Sequence, residues 1–143
     1  MSRKLFTAGC VVLILTGLVH LLGHYHLVTS AGQTDHDRQL LAMMRADPQD
    51  MGLGMKRTMF DFLAGFSITF SALPIGMGLA GFVVRRHAPS APGLLRETAI
   101  VYAITWAAML AIGLVYFFSI PDAFIALVFL LFAASALTAR ASA

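Results

Sequence analysis

Four long apolar runs constrain this chain more than any other feature. They cover about residues 5–28, 59–84, 98–120 and 121–138, and each contains few charged residues. A transmembrane helix needs about 20 mostly apolar residues, whereas the strands of a membrane barrel alternate polar and apolar positions over about ten. Because the runs are continuous, they predict helices. We therefore expect an all-α membrane protein, a bundle of four antiparallel transmembrane helices.

The composition agrees with a chain whose solvent is partly lipid. Hydrophobic residues make up 59% of the 143 residues and charged residues only 12%, against about 25% charged in soluble domains. The mean hydropathy is +0.82. Because this length suits one domain, residues 1–143 are predicted to form a single membrane domain.

The longest connection, about residues 29–58, contains a helix signal of its own. The stretch "DRQLLAMMRAD" places Leu40, Leu41, Met43 and Met44 between charged residues. This pattern predicts a short amphipathic helix. Such a helix either lies on the membrane surface or packs across the bundle, and both interpretations stay open.

The third and fourth apolar runs adjoin without a polar linker. Ser119 or Ile120 is expected to end the third helix, and Pro121 suits the first position of the next one. Asp122 then lies at the positive N-terminal end of the fourth helix. The last two helices are therefore predicted to form an antiparallel hairpin.

Lysine and arginine residues near the helix ends indicate the orientation, because cytoplasmic connections carry more of them. Six lie on the side of the termini and four on the side of the long connection, which predicts cytoplasmic termini and an outer loop at about residues 29–58. The first apolar run exceeds the 7–15 residues of a signal-peptide core, so we expect the first helix to be retained. The first group is Arg3, Lys4, Arg85, Arg86, Arg96 and Arg140, and the second is Arg38, Arg45, Lys56 and Arg57.

Three histidines lie close together near the end of the first run. His20 and His24 are four residues apart and share one helix face, about 6 Å from each other. His26 lies about 200° around the helix from His24. Asp61 and Asp122 open the second and fourth helices and are expected on the same outer side. His20, His24, Asp61 and Asp122 thus form a candidate site for a divalent metal ion or for proton transfer.

Structural roles for the same residues are the favoured alternative. Asp61 follows Arg57 by four residues, so it can pair with that side chain or stabilise a helix N-terminus. His24 and His26 lie near the headgroups, where polar side chains cost little. His20 can donate a hydrogen bond to a carbonyl of a neighbouring helix.

A haem bound by two histidines of one chain is disfavoured. The axial ligands of a haem lie on opposite faces of the ring, whereas His20 and His24 lie on one side of one helix. The other three predicted spans contain no histidine. A haem or pigment at a contact with another subunit stays open.

Small residues in the second run indicate close helix packing. The stretch "SALPIGMGLAG" contains Pro74, which can kink a helix, and Gly76, Gly78 and Gly81, which let a neighbouring helix approach. Helix packing is favoured over a transporter hinge, because transporters use a pair of interrupted helices and the sequence predicts no second one. Trp106 lies in the middle of a span and is predicted to be a packing or subunit-contact residue.

Several function classes find no support in the sequence. The ten Lys and Arg residues are scattered and form no basic stripe, so a nucleic-acid partner is not predicted. Cys10 is the only cysteine, which excludes an internal disulfide. No nucleophile, phosphate-loop or zinc-protease motif is present, so the sequence gives no basis for an enzyme.

The motifs "GLVHLLGHY", "MKRTMFDFLAGFSITFSAL" and "YFFSIPDAFIAL" resemble those of a group of small bacterial integral membrane proteins with four spans and no assigned activity. The resemblance implies the bacterial cytoplasmic membrane and the four-helix layout, and it carries no cofactor or site. We expect a non-enzymatic accessory or structural subunit of a larger membrane complex, in contact with lipid and with other subunits or copies of itself. The alternative is a metal- or proton-handling protein that uses the outer His/Asp site.

Overall fold

The computed structural model describes residues 2–30, 34–91 and 93–139, which are almost entirely helical. Four of the five helices in these residues are long and apolar enough to cross a membrane. This confirms the predicted helical class and the four apolar helices. In chain order the elements are α1 (Ser2–Ser30), α2 (Asp35–Ala46), β1 (Gln49–Asp50), β2 (Lys56–Arg57), α3 (Met59–His87), α4 (Leu94–Tyr116) and α5 (Ser119–Thr138).

The boundary between the last two helices differs from the prediction. α4 ends before Phe117, and α5 begins at Ser119, so the predicted end at Ser119 or Ile120 was wrong. Phe117 and Phe118 have extended backbones, and the Phe117 N–H donates to the carbonyl of Gly113 over 2.7 Å. These two aromatic residues turn the chain before the proline is reached. Pro121 is the third residue of α5, where its missing N–H costs no helical hydrogen bond.

The predicted amphipathic helix is present as α2. Thr34 precedes it, and its Oγ1 accepts a hydrogen bond from the Asp37 N–H over 3.1 Å. This side-chain cap satisfies one of the N–H groups that a helix start leaves without a partner. No residue of α2 is buried. Near its end the Arg45 guanidinium lies 4.2 Å from the centre of the Phe60 ring, which places a cation–π contact between α2 and the start of α3.

A small β-hairpin follows α2 and was not predicted. β1 pairs antiparallel with β2, and Gln49 lies opposite Arg57. The turn passes through Gly52, Leu53 and Gly54, all with positive φ. Glycine adopts this conformation readily, which explains why two of the three turn residues are glycines. In the sequence, Pro48, Gly52 and Gly54 indicate a break in the chain here, and they do not by themselves predict two paired strands.

The chain divides into two compact units. The terminal unit contains Met1–Thr16 and Pro74–Ala143, and the loop unit contains Gly17–Leu73. In the terminal unit α4 and α5 pack against each other. Three rings from three helices meet in its core: the Phe132 ring lies edge-on to those of Phe6 and Tyr102, with centroid distances of 5.4 and 5.0 Å. Edge-to-face pairs of this kind are a favourable arrangement of aromatic rings.

Large apolar side chains point outward from the four long helices. Leu22, Phe66 and Ile104 are 66%, 73% and 66% exposed, and many other leucines, valines and isoleucines are similarly exposed. Soluble monomers rarely expose contiguous apolar patches larger than a few hundred Å². The outer surface of these helices therefore has the chemistry expected of a protein face that contacts lipid.

Candidate functional site

His20 links two helices within the loop unit. Its Nε2 lies 3.1 Å from the Ser67 Oγ of α3, a hydrogen bond whose donor depends on the tautomer of the ring. The imidazole also lies edge-on to the Phe70 ring, with centroids 4.9 Å apart. The side chain is half-buried. The predicted interhelical bond is therefore present, but its partner is a serine hydroxyl and not a backbone carbonyl.

His24 lies one turn further along α1. The helix continues to Ser30, so His20 and His24 share a face and His26 lies on another, as the spacing predicted. Among the described residues no three His, Cys, Asp or Glu side chains are grouped closely enough to hold a metal ion. The metal hypothesis stays a prediction without a third ligand, and the established neighbours of His20 are Ser67 and Phe70.

Asp61 forms a capping box at the start of α3. Its Oδ2 accepts hydrogen bonds from the Thr58 N–H over 2.8 Å and from the Thr58 Oγ1 over 2.9 Å, and the Asp61 N–H donates back to that hydroxyl over 3.1 Å. This reciprocal pattern satisfies N–H groups that the helix start would otherwise leave without partners. Of the roles predicted for Asp61, stabilisation of the helix N-terminus is the one that the geometry supports. The Thr-x-x-Asp spacing was the sequence signal for it.

Asp122 lies in the first turn of α5, against α4. One of its carboxylate oxygens, Oδ1, is buried and has no hydrogen-bond partner among the described residues. This oxygen faces Gly113, where any larger residue would overlap it. An apolar cleft of about 550 Å³ adjoins the carboxylate. It is lined by Leu110, Leu114, Phe117, Phe118, Ser119, Asp122, Ala123 and Ala126.

Two of the three predicted packing glycines are in contact with α1 of the same chain. At Gly78 a Cβ would lie 2.6 Å from the Ile14 Cγ1 and 2.7 Å from the Cys10 carbonyl oxygen. At Gly81 a Cβ would overlap the Cys10 Sγ. Both positions lie in the terminal unit, and both allow α1 and α3 to approach more closely than any side chain would permit.

Gly76 and Trp106 differ from these two glycines. A Cβ at Gly76 would meet no atom within 4 Å, so this glycine faces outward. Trp106 is only 3% exposed, and its indole N–H is buried without an acceptor among the described residues. Trp106 was predicted to be a packing residue or a subunit-contact residue, and its burial in the terminal unit fits the packing role.

Comparison with family models, with curated proteins and with solved structures finds no significant match.

Proposed function

We propose that this chain is a multi-pass protein of the bacterial cytoplasmic membrane and a non-enzymatic accessory or structural subunit of a larger membrane complex. In this proposal α1, α3, α4 and α5 cross the bilayer as an antiparallel bundle, and both termini lie in the cytoplasm. The loop unit then carries α2 and the hairpin on the outer side.

The contacts of the terminal unit support the antiparallel arrangement. Along α4 and α5, Tyr102 meets Phe132 whereas Gly113 meets Asp122, so later residues of one helix meet earlier residues of the other. The order is the same between α1 and α3, where Cys10 meets Gly81 and Ile14 meets Gly78. Four helices that are 20 to 29 residues long are sufficient to cross the hydrocarbon core, which takes about 20 residues.

The single observation that carries the accessory role is an outward face of small residues on α3. Gly76 and Ala80 are exposed and four residues apart in the terminal unit. A Cβ at Gly76 would meet nothing within 4 Å, in contrast to Gly78 and Gly81, which α1 covers. We call the two exposed residues Gly76 and Ala80 the small-residue face.

Small residues at this spacing let a second transmembrane helix approach closely, because van der Waals contact between backbones drives association where lipid removes the hydrophobic effect. Bulky exposed side chains such as Leu79 and Val83 are sufficient for contact with lipid. The small-residue face is therefore suited to a helix of another membrane protein. The metal- or proton-handling alternative is disfavoured at His20, because this side chain is engaged by Ser67 and Phe70.

Site-specific crosslinking tests the proposal. A photoreactive amino acid incorporated in place of Ala80 puts the crosslinking group on the small-residue face in membranes of the source cell. We expect one adduct of defined mass that contains this chain and a different membrane protein. Adding Gly76→Ile should abolish the adduct, because the larger side chain blocks close approach.

The same photoreactive amino acid in place of Val101 is the matched control, since Val101 is 59% exposed on α4 and lies outside the small-residue face. It should react with lipid and give no protein adduct. Equal adducts at both positions, or none at either, would refute the proposed contact. An adduct of two copies of this chain would replace the accessory role by self-association.

A further inference from the structure

A cleft in the terminal unit is lined by three arginines and one aromatic ring. Arg3 comes from the first turn of α1, and Phe82, Arg85 and Arg86 come from the last two turns of α3. The cleft has a volume of about 310 Å³. Neither the small-residue face nor Asp122 contributes to its lining. We call it the arginine cleft.

The three guanidinium groups carry charge that the described chain does not neutralise. The ion pair present among the described residues joins Arg38 to Asp35, in the loop unit. No described carboxylate lies within 4 Å of Arg3, Arg85 or Arg86. Like charges that line one cleft repel each other, so an anion held between them relieves an unfavourable interaction.

Ordinary helix-end electrostatics account for only part of this arrangement. Arg85 and Arg86 lie in the last turn of α3, where the helix dipole favours cations. Arg3 lies in the first turn of α1, where the dipole disfavours a cation, and that turn contains no acidic residue. The positive-inside bias accounts for basic residues at this end of the helices, and a negatively charged ligand would in addition offset the repulsion between three guanidinium groups in one cleft.

The size and lining of the cleft indicate the chemical class of the ligand. Arginine binds phosphate through two parallel hydrogen bonds. A volume of about 310 Å³ is at the lower end of the range for small-molecule pockets and far above the roughly 30 Å³ of a water molecule. Phe82 adds an apolar wall, which a bare inorganic anion does not need but the glycerol and first methylene groups of a lipid would contact.

We propose that the arginine cleft binds the phosphate group of an anionic phospholipid headgroup. The proposal rests on the proposed membrane insertion, which brings the N-terminus of α1 and the C-terminus of α3 to the level of the headgroups. Basic pockets between transmembrane helices on the cytoplasmic side hold anionic headgroups in this way. The bound lipid would join α1 to α3 at their cytoplasmic ends.

The test uses the purified full chain, delipidated in an uncharged detergent. Phosphatidylglycerol, phosphatidylcholine and sodium phosphate are titrated separately at equal ionic strength, and binding is followed by native mass spectrometry and by the melting temperature. We expect one tightly bound phosphatidylglycerol per chain and a rise in melting temperature, with much weaker effects of the other two. A response to sodium phosphate equal to that of phosphatidylglycerol would overturn the lipid assignment.

Two double variants with the same change in charge identify the site. Arg85→Gln with Arg86→Gln removes two charges from the cleft, whereas Lys4→Gln with Arg96→Gln removes two charges that do not line it. We expect the cleft variant to bind phosphatidylglycerol at least tenfold more weakly than the control variant, since hydrogen bonds to charged groups are lost as well as charge. Equal weakening would indicate general attraction to the basic protein and would overturn the proposal.

Arg3→Gln removes a charge from the same cleft on the other helix, α1. It should also weaken lipid binding, even if the double substitution in α3 disturbs folding. Helical content and the lipid-free melting temperature are measured for every variant; for the cleft variants we expect unchanged helical content and no fall in melting temperature, because the three arginines are exposed and their mutual repulsion is reduced. Binding in detergent does not depend on orientation or on a protein partner. The test can therefore fail while the accessory role holds, and it can succeed while that role fails.

Discussion

His20 illustrates how an ionisable residue in an apolar helix can serve the fold. In a bilayer such a residue is expensive unless it finds a polar partner, and by default it is a candidate functional residue. Here Ser67 supplies a hydrogen bond and Phe70 supplies an aromatic face. These two contacts join α1 to α3 within the loop unit. The contacts of His20 therefore support a structural role, in which the side chain holds the two helices together.

This role predicts unequal effects at the two histidines. His20→Ala removes an interhelical hydrogen bond and a ring contact, so we expect it to lower the free energy of unfolding by about 1–2 kcal/mol. His24→Ala, the matched control one turn away, should cost less than about 0.5 kcal/mol. The measurement is unfolding of the purified chain in mixed micelles, followed by circular dichroism.

Zinc distinguishes this role from the metal hypothesis in the same experiment. If Zn²⁺ raised the stability of the original chain, and both histidine variants lost that rise equally, the pair would be a metal site and the structural interpretation would be wrong. A second check is Ser67→Ala. Its effect should not add to that of His20→Ala, since both remove the same hydrogen bond.

Part of the candidate site could be predicted from the sequence, and the rest depended on facts that spacing does not contain. The shared face of His20 and His24 follows from the helical period. The role of Asp61 was present in the sequence as Thr58-x-x-Asp61, a capping-box pattern. The partner of His20, Ser67, could not be predicted from the sequence. The two residues are 47 positions apart in the chain, and their contact depends on the relative register of α1 and α3.

At the scale of helices, α3 presents glycines on two different faces. Gly78 is covered by α1, whereas Gly76 is exposed. Both glycines belong to one short sequence motif, so composition alone could not separate them. The helical period separates residues 76 and 78 by about 200°, which places them on nearly opposite sides.

This difference predicts opposite results for two similar substitutions. Gly78→Ala puts a Cβ 2.7 Å from the Cys10 backbone oxygen, which cannot move without shifting α1, so we expect a loss of about 1–3 kcal/mol in unfolding free energy. Gly76→Ala meets no atom within 4 Å and should be neutral, or stabilising by up to about 1 kcal/mol through helix propensity. Denaturation of the purified chain in micelles measures both. A harmless Gly78→Ala would show that α1 and α3 do not pack as described.

The positions of helix ends were harder to predict than the existence of the helices. Pro121 is a strong signal for a helix start, yet α5 begins two residues earlier, at Ser119. A proline is tolerated throughout the first helical turn, so it limits where a helix can begin without fixing the residue. The break at Phe117 and Phe118 has no glycine or polar signal, because both residues are large and apolar.

For the whole molecule, the distribution of charge and apolar surface determines which environment suits each part. The long helices expose leucine, isoleucine and valine side chains, whereas residues 34–58 contain four of the seven acidic residues. The arginine cleft lies at the first turn of α1 and the last turn of α3. In the proposed orientation, this cleft lies on the cytoplasmic side.

Labelling with a membrane-impermeant maleimide tests this orientation. Cys10 is buried and the only cysteine, so its replacement by alanine gives a background without thiols. Into it we place Gln39→Cys on α2 or Ser90→Cys between α3 and α4, both at exposed positions. In intact cells we expect Gln39→Cys to react with the reagent and Ser90→Cys to stay unlabelled. Ser90→Cys should react once the cells are permeabilised, because the positive-inside rule places the more basic side in the cytoplasm.

The two thiols serve as controls for each other, because Gln39→Cys is expected to be accessible in intact cells and Ser90→Cys only after permeabilisation. Val101→Cys, on the apolar surface of α4, should resist the reagent even after permeabilisation because lipid covers it. The reverse labelling pattern would invert the orientation and place the arginine cleft on the outer side, while leaving the packing of the helices unchanged. Reaction of all three thiols in intact cells would show that the apolar helices do not cross a membrane. In that case the exposed leucines and isoleucines would need a protein surface to cover them.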